Sequence, residues 1–129
     1  MSLSSPEELR YSRHLALREI GPAGQEKIRS ARVLLIGAGG LGSPAALYLT
    51  AAGVGTIGMI DHDRVDVSNL QRQVLYDTSD IGQPKVQRAS QRLQGLNPFV
   101  KIEAHEAELS AANVMQIVSS YDLVLDGTD

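Results

Sequence analysis

The stretch RVLLIGAGGLG, residues 32–42, restricts this chain more than any other. An unbroken apolar run without polar alternation is what a strand buried on both faces of a parallel sheet requires. The glycines that follow it, in the pattern G-x-G-x-x-G, permit a tight turn. They also leave the first amides of the next helix open toward an anion. Small apolar residues then carry a helix over 40–52, closed by Gly53-Val54-Gly55. A second strand is expected over 56–61 and a helix over 85–96, with Val86, Ala89, Leu93 and Leu96 on one stripe and Asn97-Pro98 as its stop. A strand over 100–105, a helix over 111–119 and a strand over 121–126 complete the alternation. Such an order folds as a Rossmann-like α/β domain, a parallel sheet with right-handed crossovers.

Ahead of the sheet, Ser5-Pro6-Glu7-Glu8 reads as a capping box, with Ser5 as N-cap and Glu8 reaching back. The helix it opens is expected to run toward Arg18 and to end at Gly21-Pro22, with a second short helix over 25–30. The chain divides into an N-terminal helical segment, 1–31, and a nucleotide-binding domain, 32–129. The sequence stops at Gly127-Thr128-Asp129, just after a buried-type strand, which is where ligands sit in open parallel sheets. It therefore reads as the N-terminal part of a longer protein, cut off after the fourth strand.

Composition narrows the function. A net charge of -3 gives no general electrostatic attraction for nucleic acid or an acidic membrane, so neither is expected as a partner. With no cysteine, disulfides, thiolate zinc sites and a cysteine nucleophile are all excluded from these 129 residues. Neither a secretory signal nor an apolar run of membrane-spanning length is present, and the reading is a soluble, cytoplasmic protein. His14, His62 and His105 stand at no metal-ligand spacing.

Gly37, Gly39 and Gly40 are the candidate phosphate contacts. Asp61, 19 residues beyond Gly42, ends the second strand where an acid can accept from ribose hydroxyls. On the glycines alone an NAD site is the first choice. The segment VSNLQRQVLY, 67–76, weighs against a dehydrogenase, whose diphosphate is held mostly by backbone amides. Asn69, Gln71, Arg72 and the later Lys85 suit a triphosphate, whose charge must be neutralised before a nucleophile approaches. Arg72 has a plain alternative, an ion pair with Asp77 or Asp80. Lys85 near a helix start opposes the helix dipole, which favours a local anion.

Arg10-Tyr11-Ser12-Arg13, GAGGLG, DHDRVDVSNLQRQ, Gly82-Gln83-Pro84-Lys85 and the closing LVLDGTD follow one another in an order that resembles the adenylating enzymes that activate ubiquitin-like proteins, the ThiF/MoeB/HesA family. The likeness is greatest to bacterial members serving molybdopterin and thiazole synthesis. It implies ATP-dependent adenylylation of the C-terminal Gly-Gly carboxylate of a β-grasp sulfur-carrier protein, with release of pyrophosphate. By the same resemblance Gly40 approaches the phosphates and Asp61 holds the ribose. Ser68, Asn69, Leu70, Gln71 and Arg72 form the nucleotide loop, and Lys85 neutralises charge developing on phosphate. Asp129 would hold Mg²⁺. Arg13 would act as an arginine finger on the partner's site, which implies a homodimer.

Members of the family continue with an asparagine after the last aspartate, further strands and Cys-x-x-Cys zinc motifs, so zinc is expected only in a longer parent chain. The carrier's platform lies largely in that later half. Two alternatives stay open: an NAD-dependent oxidoreductase domain, and a non-catalytic nucleotide-binding or dimerisation module. A related branch, the tRNA-modifying dehydratases, draws no support from the net charge.

Overall fold

The computed structural model describes residues 2–128. The apolar runs form four strands: β1 (Arg32–Ile36), β2 (Thr56–Ile60), β3 (Lys101–His105) and β4 (Leu123–Asp126). They make one sheet in the order β3-β2-β1-β4, with every pairing parallel. The chain steps outward from β1 to β2 to β3, then crosses back to place β4 on the other side of β1. That reversal opens a crevice at the carboxyl ends of β1 and β4, the position where such sheets take ligands.

One face of the sheet carries the core. Val33, Leu35, Ile57, Met59 and Ile102 pack against Ala46 of α4 (Gly42–Ala52) and against Val86, Ala89 and Leu93 of α5 (Lys85–Leu96), all buried. The 86/89/93 spacing read from the sequence is the stripe that α5 lays on the sheet. The opposite face is more polar. Arg32 and Glu103 form an ion pair there, and the Tyr121 hydroxyl bridges Glu103 and His105. On this side α6 (Val114–Val118) is a short helix. Residues 111–113 do not join it, because Asn113 turns its side chain back to accept from the Ser110 amide at 2.8 Å and so competes with helical hydrogen bonding.

The N-terminal segment differs from expectation in three respects. The capping box sits one residue earlier: Ser4 is the N-cap of α1 (Ser5–Arg10), and Glu7, not Glu8, reaches back to it. Glu7 also ion-pairs with Arg29, which ties the cap to the body of the domain. The helix breaks at Tyr11 before α2 (Ser12–Leu15), because Tyr11 is buried and its hydroxyl accepts from Asn97 Nδ2 at 2.8 Å. Gly21-Pro22 opens α3 (Gly21–Ser30) instead of ending a helix. Proline in a first helical turn lacks only an amide that had no helical partner.

Candidate functional site

The turn between β1 and α4 is the centre of the site. At Gly42 a side chain would collide with the Gly37 carbonyl, so the absence of one lets α4 start directly on the turn. Asp61, at the end of β2, fastens the loop through both carboxylate oxygens. Oδ2 accepts from the Ala38 amide at 2.8 Å, and Oδ1 accepts from the Asp63 amide at 2.9 Å. From the far side, Gly127 after β4 donates its amide to the Ile36 carbonyl at 2.8 Å. A cleft of about 330 Å³ lies above, lined by Gly37, Gly39, Gly40, Asp61, Gln73 and Lys85 among others. Its outer wall is Ala107, Glu108 and Leu109, which follow β3.

Gly37, Gly39, Gly40, Asp61 and Lys85 are thus brought together as the sequence suggested. Lys85 is the first residue of α5 and only 5% exposed, with its amide bonded to the Asp63 carbonyl at 3.0 Å. Among the described residues its ammonium forms no ion pair. A buried cation at the positive end of a helix is unfavourable unless an anion joins it.

Ser68–Arg72 stand beside the cleft instead of lining it. A 3-10 turn over Val67–Asn69 is capped by Asp66, which accepts from the Ser68 hydroxyl at 2.7 Å and from the Ser68 amide. These two hydrogen bonds, the hydroxyl's first, hold the Asp66 carboxyl below its usual range. Asn69 Oδ1 accepts from the Asp66 amide, Leu70 packs on the core and Gln71 is exposed. Arg72 leans over the glycine turn: its Nε lies 3.6 Å from where a Gly40 side chain would begin. It makes no ion pair with Asp77 or Asp80. Asp80 is taken by Arg88 at 2.6 Å, and Asp77 caps its own turn through Ser79. Among the described residues the Arg72 guanidinium is therefore held by a single hydrogen bond, to the Ser68 carbonyl at 3.3 Å.

Arg13 is exposed on α2 and does not line the cleft. Asp129 lies outside the described residues. The three histidines serve locally: His14 bonds Gln25, His105 bonds Tyr121, and His62 lies 3.5 Å from Asp63. Asp61, His62 and Asp63 have ligand atoms within 4.8 Å of one another; each Asp61 oxygen accepts one amide and keeps a lone pair for a further contact.

Tyr76 escaped sequence reasoning, and Gln73 is read from the sequence only as part of the polar segment 67–76. Tyr76 is buried and donates to the Ala38 carbonyl at 2.6 Å, bracing the glycine turn from behind. Gln73, 3% exposed, forms part of the cleft wall. For Tyr76 the available signal was the apolar run Val74-Leu75-Tyr76 at the end of the polar segment; for Gln73 there was none beyond its place in that segment.

This turn, acid and crevice define a Rossmann-like domain with its ligand cleft at the switch point of the sheet. The chain belongs to the ThiF family, which it matches over residues 11–129. It is 52% identical over 124 residues to the sulfur carrier protein adenylyltransferase of Thermus thermophilus, covering 95% of this chain and 46% of that one. It is 51% identical over 128 residues to the probable adenylyltransferase/sulfurtransferase MoeZ of Mycobacterium tuberculosis, covering 99% and 33%. Among solved structures, the E. coli tRNA N6-threonylcarbamoyladenosine dehydratase TcdA in complex with ATP superposes with a TM-score of 0.92 at 28% identity, covering 100% of this chain and 53% of that one. The chain spans from a third to about half of the length of these relatives. No helix among the described residues is long and apolar enough to cross a membrane.

Proposed function

We propose that this chain carries the ATP site of an adenylyltransferase that activates the C-terminal glycine carboxylate of a ubiquitin-like sulfur carrier, in molybdopterin or thiamine synthesis. The observation that carries the reading is the pair of uncommitted cations at the glycine turn, Lys85 buried in the cleft and Arg72 over Gly40. A dinucleotide cradle has no use for them. Among the described residues Lys85 has no ion pair and feels the nearby charge of Asp66, so a triphosphate supplies an anion in direct reach. The Thermus and Mycobacterium relatives are adenylyltransferases by name, and TcdA has been crystallised with ATP, which supports the same reading.

In this scheme the nucleotide's phosphates lie over Gly39 and Gly40, and Asp61 orients the ribose. Lys85 and Arg72 stabilise the charge that grows on the phosphates as the carboxylate attacks the α-phosphorus and pyrophosphate departs. The attacking carboxylate is already ionised near neutral pH, so no general base is needed. Mg²⁺, bound with ATP, would screen phosphate charge. Of the carboxylates near Gly127, Asp126 is occupied by Thr128, whose hydroxyl and amide hold its carboxyl below the ordinary range. By the chain's resemblance to the family, Asp129 is the residue that would hold the ion. Residues 1–31 serve as the dimer arm, with Arg13 reaching the partner's cleft in a homodimer in the cytoplasm.

Calorimetric titration with Mg-ATP and, separately, NAD tests the reading, on the wild type, Arg72→Ala and Lys85→Ala. Saturable ATP binding lost in both variants is the expected result. NAD binding indifferent to Arg72→Ala would replace the proposal with an oxidoreductase. In carrier-dependent exchange of pyrophosphate into ATP, each substitution is expected to lower turnover about 10²–10³-fold, the effect of removing one well-placed electrostatic donor.

A further inference from the structure

Gln73 lines the cleft, is 3% exposed, and its Oε1 has no hydrogen-bond partner among the described residues. The residue is not loose. Its amide donates to the Asn69 carbonyl at 2.8 Å and its carbonyl accepts from the Tyr76 amide at 3.2 Å, so the backbone aims the side chain firmly. The buried Oε1 left unpaired works against the fold, and an apolar side chain of similar length would serve packing as well or better. A phosphate, itself an acceptor, would leave Oε1 as it is and engage only the donor end. What the carboxamide does have is position. Its Nε2 is the atom nearest to where a side chain on Gly39 would project, at 3.2 Å. The donor end therefore faces the space that the glycine turn leaves free.

We propose that Gln73 is a phosphate-binding residue of the cleft, donating from Nε2 to a nonbridging oxygen of the nucleotide above Gly39. This rests on the nucleotide reading and deepens it. Lys85 and Arg72 supply charge, whereas Gln73 supplies a directed neutral donor that fixes where one oxygen sits. A nucleoside without phosphates gains nothing from it.

The test uses ATP and adenosine titrations of the wild-type chain, Gln73→Leu and Gln73→Glu, with thermal melts of each protein free of ligand. Gln73→Leu is expected to melt at or above the wild-type temperature, to bind ATP about tenfold more weakly and to bind adenosine as before. Gln73→Glu, which places a carboxylate against the phosphates, is expected to bind ATP more weakly still. Unchanged ATP affinity in Gln73→Leu would overturn the proposal. So would a lowered melting temperature with equal loss of ATP and adenosine, which would make Gln73 a structural residue. Failure of the nucleotide reading has a separate signature, a wild-type chain that binds neither ligand, and the proposal would fall with it.

Discussion

The Tyr76 hydroxyl donates a 2.6 Å hydrogen bond to the Ala38 carbonyl, linking two loops that are 38 residues apart. Asp61 holds the amide of the same Ala38, so this one peptide position is gripped from both sides. Burial, then the carboxylates of Asp61 and Asp80, push the Tyr76 phenol far above its ordinary range, which favours the protonated donor.

Tyr76→Phe leaves a buried carbonyl unpaired and is expected to cost about 1–3 kcal/mol of stability. Because the turn itself loosens, ATP affinity should fall too. Chemical denaturation with parallel titration measures both. A stability loss with undisturbed affinity would show that the turn keeps its shape without the tyrosine.

Gly58 and Tyr121 form a second pair. The Tyr121 ring occupies the space that a side chain at Gly58 would need, and its hydroxyl donates to Glu103 at 2.7 Å. Gly58→Ala should destabilise by about 1–3 kcal/mol, through overpacking and displacement of that hydroxyl. In a Tyr121→Ala background the same substitution should cost far less. A double-mutant cycle with no coupling between the positions would refute this.

Glu103 gives the acid limb a specific owner. The Tyr121 hydrogen bond, then the Arg32 charge, holds its carboxyl below the usual value. A carboxyl whose folded value is depressed contributes stability above its unfolded value, about 4.3, and loses it as pH falls through the folded value. Glu103→Gln should therefore be less stable than wild type at pH 7, with the gap closing in acid. Melting temperatures from pH 7 to pH 3 decide it, and a gap independent of pH would assign the effect to packing.

Arg13 as a donor to the partner's site predicts complementation. Arg13→Ala and Lys85→Ala chains, each inactive in pyrophosphate exchange, should regain about a quarter of wild-type activity when mixed, since half of the dimers hold one intact site. No recovery on mixing would place Arg13 outside catalysis in trans.

Much of this was legible in the sequence because buried strands and glycine turns are local signals. β1, the turn after it and both ends of α5 lie where the residues indicated. Where the reading slipped, a distant partner had intervened. Tyr11 broke a helix to reach Asn97, Glu7 took the cap while pairing with Arg29, and Gln73 and Tyr76 are buried against a glycine turn distant from them in sequence. Arg72 could be listed for the nucleotide loop, yet only the structure removed Asp77 and Asp80 as competing partners.

The crossing back of β4 sets a timetable for synthesis. β1 waits for Asp122, whose carboxylate takes the Arg32 amide 90 positions earlier, and the glycine turn is closed on one side by Gly127. The glycine turn, early to leave the ribosome, is thus closed only after β4 has followed it. Until β4 arrives, the nascent chain presents the bare flank of β1, the interval in which unpaired strand edges are most open to mispairing.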